Sequence, residues 1–195
     1  MLKNISPIIS PELLKILDNY DVKATFFLVG QWVDKYPDSV KDIASKGHDV
    51  ENHSDTHAHM TNLSTADMKK EVTACNEKIK AITGKRPTLF RPPYGDYNND
   101  VVGVVKSTDM YCIQWDVDSL DWKDLSAAEI TERITSKIQP GSIVLLHNGA
   151  KNTPAALPSI IEGIRAQGYE LVPISELVPE GDYTTDHEGR MHLSE

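Results

Sequence analysis

The 195-residue sequence alternates amphipathic stretches with short apolar runs almost without a break. This alternation restricts the available folds more than any single motif does. In SPELLKILDNY, Leu13, Leu14, Leu17 and Tyr20 recur at helical spacing, with Ser10 as N-cap and Pro11 at the first helical position. ATFFLV follows as a buried strand, YPDSVKDIASKG as a helix closing at Gly47, and HDVENH as a second strand. The strongest helix runs from Ser64 to Gly84. Ser64 and Asp67 make a capping-box pattern there, and Met68, Val72, Cys75, Ile79 and Ile82 form one stripe. LFRPP reads as a strand that its prolines end, residues 98 to 108 as a weaker helix, and MYCIQWDV as one strand. Ser126 with Glu129 caps a helix carrying Ile130, Ile134 and Ile138, and SIVLLH is the next strand. TPAALPSIIEGIRAQG is a helix with Thr153 as cap and Pro154 at its first position, and YELVPI is the last strand.

Six helices alternating with six strands build a parallel sheet with covering helices, either open or closed into a barrel. The series opens with a helix, whereas a repeating strand-then-helix unit opens with a strand, so the pattern predicts that a leading strand is missing. The chain divides into one domain over 1–178 and a polar tail over 179–195, which is expected to pack on the surface or fray.

Charge and composition narrow the function classes. A net charge of −9 with no basic stripe repels a phosphate backbone and argues against nucleic-acid partners. TFFLVG and SIVLLH are far shorter than the roughly 20 apolar residues that span a bilayer. MLKNISPIIS has too short an apolar run for a signal peptide, so an export signal or anchor is expected to lie outside this sequence. Cys75 and Cys112 fall at apolar positions of a helix and a strand, as buried free thiols do.

The chemically distinctive residues collect at one face. His53 ends one strand, Arg91 to Tyr94 the next, Asp118 and Asp121 follow another, and His147 ends the one after that. In parallel α/β architectures the loops leaving the C-terminal strand ends converge on the ligand. Each element alone has an ordinary reading. HSDTH is a metal pair or two surface histidines, RPPYG merely stops a strand, DSLDW is an acidic turn, and His147 is a satisfied core histidine. Four consecutive strand ends carrying His, Arg, Asp and His are hard to obtain from core packing.

In that order, HSDTH, RPPYG, DSLDW and LLH resemble the motifs of the NodB-homology polysaccharide deacetylases, over about residues 10 to 178. The likeness is greatest to the sporulation-associated branch acting on cell-wall sugars. The resemblance implies a distorted (β/α) barrel, here incomplete with its first strand missing. It also implies removal of N-acetyl groups from N-acetylglucosamine units of peptidoglycan or a chitin-like glycan, in an extracytoplasmic, cell-wall or spore setting. His53 and His57 would ligate a divalent metal, most simply zinc, with cobalt or nickel as alternatives. His147 would be the general acid, held charged by Asp121 through a contact that raises its pKa. Arg91 would orient the catalytic base. Pro92, Pro93 and Tyr94 would line the substrate, the Tyr94 N–H serving as oxyanion donor, and Trp122 and Leu145 would shape a pocket for the acetyl methyl.

One part of the family pattern has no counterpart. Its first motif, a TFDD-type strand, brings the base and a carboxylate ligand, yet MLKNISPIIS holds no acid and Glu12 is the first. The expectations are therefore weak metal binding and exposed strand edges open to pairing with another chain. A competing reading is a catalytically impaired carbohydrate-binding relative. A serine hydrolase is disfavoured because no G-x-S-x-G elbow occurs.

Overall fold

The structure, a computed structural model, describes residues 11–179, 183–185 and 191–193. Helix α1 (Pro11–Asn19) buries Leu13, Leu14 and Leu17, and leads through a turn to strand β1 (Thr25–Leu28). Helices α2 (Gly30–Lys35) and α3 (Pro37–Ser45) then return the chain to strand β2 (Asp49–Asn52). The long helix α4 (Thr65–Thr83) starts where the Ser64 side chain accepts the Asp67 N–H and stops at Gly84, whose φ of 74° is the left-handed cap conformation. Strand β3 (Leu89–Phe90), helix α5 (Asn99–Lys106) and strand β4 (Tyr111–Cys112) complete a first parallel sheet of order β1-β2-β3-β4. Strand β5 (Val117–Asp118), helix α6 (Ala127–Thr135) and strand β6 (Val144–Leu145) give a second parallel pair, covered by helix α7 (Thr153–Ala166).

The register of the first pair sets Thr25 opposite Asp49 and Leu28 opposite Asn52. Helices supply the cover. Val33, Val40, Ile43, Cys75 and Ile79 close over the β1 side, while Ile130, Ile134, Ala156 and Ile160 close over β5 and β6.

Several expectations are corrected. MYCIQWDV is two strands, because the chain changes partner midway: the Ile113 N–H bonds to Phe90 O of β3, and the Asp116 N–H bonds to Ile143 O beside β6. YELVPI joins no ladder. Its end is held by side chains, with the Ile174 N–H donating to Thr25 Oγ1 (2.8 Å) and the Ser175 N–H to Asp49 Oδ2 (3.2 Å). Thr153 is the first residue of α7 and not its cap; Asn152 precedes the helix and caps nothing with its side chain. Helix α2 escapes sequence reading because six residues show too little period, although Trp32 and Val33 are buried in it. Part of the polar tail forms an antiparallel pair, β7 (Tyr183–Thr185) with β8 (Met191–Leu193), and the Tyr183 ring lies 5.6 Å from that of Tyr111.

Among the described residues β1 to β6 make two open parallel sheets, and no helix is long and apolar enough to cross a membrane. The expected missing leading strand and the Ser10 cap both bear on residues 1–10, outside the described residues.

Candidate active site

His53 stands immediately after β2, its backbone N–H held by Leu28 O (3.0 Å). Its Nδ1 lies 2.7 Å from Arg91 O. A carbonyl can only accept, so Nδ1 carries the proton and Nε2 keeps its lone pair. Burial, and secondarily the neighbouring His57, push the His53 pKa down to about 3, so the ring is neutral wherever the protein functions. Burial lowers His57 as well. The two rings meet edge to face at 4.9 Å between centroids.

Two neutral imidazoles suit a borderline divalent ion such as zinc, and the free Nε2 of His53 is the kind of donor such an ion takes. Among the described residues no group of three histidine, cysteine or carboxylate side chains could hold a metal. The donor chemistry fits, with two nitrogens in hand.

The second half of the site is built on Asp121, which is 1% exposed. Its Oδ1 lies 2.7 Å from His147 Nδ1, and its Oδ2 accepts the His147 backbone N–H (2.8 Å) and the Thr153 hydroxyl (2.6 Å). Burial alone would raise the Asp121 pKa. The bonds from the His147 ring, the Thr153 hydroxyl and the His147 N–H outweigh burial and hold it below the ordinary carboxylate value. An ionised Asp121 fixes the proton on His147 Nδ1 and leaves Nε2 as the ring's chemically available nitrogen.

Arg91 is buried, with its guanidinium 4.2 Å over the Phe27 ring and 5.7 Å from the Trp115 ring. Its Nη2 donates to Gln114 O at 3.4 Å, and its Nε has no partner. Desolvation pulls its pKa down to about 10. Among the described residues no carboxylate pairs with it. Tyr94 has φ 61° and is 58% exposed, with the His57 ring edge-on to its own at 4.6 Å and the His59 ring stacked on it at 3.9 Å. Trp122 is exposed, Pro93 is buried, and Pro92, Trp122 and Leu145 face the same cavity of about 1360 Å³ as His53, His57, Arg91 and His147. The structure thus brings every candidate residue but Pro93 to one cavity lining, with Asp121 among them.

Sequence reasoning missed Thr153, Gln114 and His59. Thr153 looked like a helix cap, and only its position beside Asp121 shows where its hydroxyl donates. His59 stands two residues beyond the HSDTH motif, and its stack on Tyr94 joins segments 35 residues apart.

Comparison with known proteins follows from this geometry. The polysaccharide deacetylase family model matches residues 5–113. Peptidoglycan-N-acetylglucosamine deacetylase PgdA of Listeria monocytogenes is 36% identical over 172 residues, which is 88% of this chain and 36% of that protein. The uncharacterized protein YlxY of Bacillus subtilis is 34% identical over 169 residues, 87% of this chain and 53% of that protein. Among solved structures, a CE4 family pseudoenzyme from Bacillus anthracis superposes with a TM-score of 0.85 at 37% identity, covering 88% of this chain and 61% of that one. The chain therefore spans between about a third and about a half of the length of these curated relatives.

Proposed function

The chain belongs to the polysaccharide deacetylase family, and on that premise we propose that it is a hydrolase domain that removes N-acetyl groups from N-acetylglucosamine units of peptidoglycan or a chitin-like glycan. The observation that carries this reading is the buried Asp121 holding His147 by both its ring and its backbone, on the cavity that His53 and His57 also line. An amide nitrogen leaves poorly until it is protonated. His147, with Nδ1 committed to Asp121, delivers that proton from Nε2, and Asp121 stabilises the ring while it carries the charge. The left-handed backbone at Tyr94 orients the peptide group offered to the developing oxyanion. Trp122 and Leu145 exclude water around the acetyl methyl.

His53 and His57 would hold the metal, zinc by donor type, with cobalt or nickel as substitutes. A bound divalent ion supplies Lewis acidity towards the amide carbonyl and acidifies water. The setting is extracytoplasmic, at the cell wall or spore, as the substrate requires.

A second reading has its own observation. Arg91 is a buried guanidinium with no carboxylate partner among the described residues, and a buried charge is costly unless paired. That arrangement favours a glycan-binding domain of impaired catalysis; a protein of similar fold is a CE4 family pseudoenzyme, and a mutant of it has restored enzymatic activity. Acetate release from N-acetylglucosamine oligomers separates the two. A hydrolase loses turnover in His147→Ala and retains glycan binding. A binding domain releases no acetate in either form and binds equally well.

A further inference from the structure

The segment from His53 to His57 is held against the preferences of its own backbone. Ser54 has φ 65° and His57 has φ 62°, left-handed values that side chains with a Cβ adopt at a cost. Such conformations persist where the surroundings over-determine them. Each N–H of the segment has an identified acceptor. His53 donates to Leu28 O, Ser54 to Asn52 Oδ1 (2.8 Å), and His57 to Ser54 Oγ (2.9 Å). These bonds are local to the motif or to the neighbouring strand. The middle of the segment is different. The N–H groups of Asp55 and Thr56 both donate to Oε2 of Glu71, at 2.9 and 2.8 Å, and the Thr56 hydroxyl donates to Oε1 at 2.8 Å. One carboxylate from α4 thus takes three donors from the two residues at the apex. Two turns further along the same face, Lys78 pairs with Asp55 and with Asp34, each at 2.7 Å.

We propose that Glu71 is a positioning residue for the histidine pair, which acts by pinning the Asp55–Thr56 apex so that both imidazoles turn to one centre. Without that acceptor, two adjacent amides lose their partners and the left-handed backbone at Ser54 and His57 relaxes, swinging His57 away from His53. Glu71 touches neither ring, so its effect passes entirely through the loop. The inference rests on the reading of His53 and His57 as metal ligands.

Reach and charge can be separated by two substitutions. Glu71→Gln keeps an oxygen where Oε2 accepts both amides and offers its NH₂ to the Thr56 hydroxyl, while removing the charge. Glu71→Asp keeps the charge but is one methylene too short to meet the apex. The experiment is zinc titration of the intact chain against a chromogenic chelator, for the parent, Glu71→Asp, Glu71→Gln and His53→Ala, with folding of each checked by circular dichroism. The expected result is a zinc affinity lowered about tenfold to a hundredfold in Glu71→Asp, the range for residues that orient ligands, and retained within about threefold in Glu71→Gln. Parent-like affinity in Glu71→Asp, with binding lost in His53→Ala, overturns the positioning role. So does an equal loss in the Asp and Gln variants, since charge would then set the affinity. A parent that binds zinc no better than His53→Ala overturns the metal reading itself, and the positioning role with it.

Discussion

Glu51 sits in β2, 7% exposed, with Oε2 accepting the N–H groups of Thr88 (2.9 Å) and Leu89 (2.7 Å) where β3 begins. Burial pushes its pKa up to about 7, against the lowering effect of those two bonds, and the charge of Asp49 adds to the rise. A carboxyl whose folded pKa lies above its unfolded value contributes stability that is complete at acid pH. That contribution is lost as pH climbs from the ordinary carboxylate range through about 7. The difference is on the order of 3 kcal/mol above neutrality. Glu51→Gln keeps the acceptor and cannot ionise, so the variant gains stability over the parent between pH 5 and pH 8.5 in urea unfolding. Parallel stability curves for the two proteins would remove Glu51 as the cause. Asp121 carries the opposite sign, because its lowered pKa stabilises the fold above the carboxylate range and that stability is lost on acidification. Thr153→Val deletes one of its three donors and costs about 1–2 kcal/mol, read as a lower urea midpoint. The Glu51 and Thr153 partnerships have no sequence signature. Glu51 reads as one polar residue in a strand and Thr153 as a cap, and only long-range contact reveals either role.

At the scale of elements, what was legible in the sequence is what local physics decides. The capping box at Ser126 is complete: its hydroxyl accepts the Glu129 N–H, and the Glu129 carboxylate accepts the Ser126 N–H. Ile130 and Ile134 are buried behind it, as their spacing required. Ser126→Ala removes one bond of the pair and costs about 1 kcal/mol. For a chain of this size that lowers the melting temperature by about 2–4 °C, measurable by calorimetry. An unchanged melting temperature would mean that packing of α6 on α7 alone holds the helix. Strands were less legible, because a ladder belongs to two segments at once. The run MYCIQWDV looks continuous, but its halves bond to Phe90 and Ile143, on different sheets. YELVPI has a strand's composition and no ladder; the Ile174 N–H at its end goes to the Thr25 hydroxyl, and the Ser175 N–H just beyond it to the Asp49 carboxylate. Apolar periodicity places a segment against a core and cannot name the neighbour that receives its hydrogen bonds.

On the scale of the whole molecule, the two halves of the site come from different sheets, His53 and His57 after β2 and the Asp121–His147 pair beside β6. Parallel packing brings both to the C-terminal strand ends, which is why the order of motifs along the chain was enough to locate them. What completes the centre was not legible in the same way. Among the described residues Arg91 is buried without a carboxylate partner, and no group of three histidine, cysteine or carboxylate side chains could hold a metal. Both observations lead to one expected outcome: this 195-residue chain releases acetate from N-acetylglucosamine oligomers slowly but measurably, and the release is lost in His147→Ala. General-base assistance is worth about a hundredfold to ten-thousandfold, and two neutral ligands alone would hold a divalent ion weakly. Joining to the N-terminus a strand that ends in two aspartates tests this, since it would offer a partner for Arg91 and an anionic group beside His53 and His57. Turnover and zinc retention after dialysis should then rise together. The assay compares the chain, the extended chain, and the extended chain with His147→Ala, reading acetate and bound metal in each. Fast release by the unextended chain would show that another group, such as Asp118 at the end of β5, already serves as base. Full activity of the extended His147→Ala protein would take the acid role from that histidine.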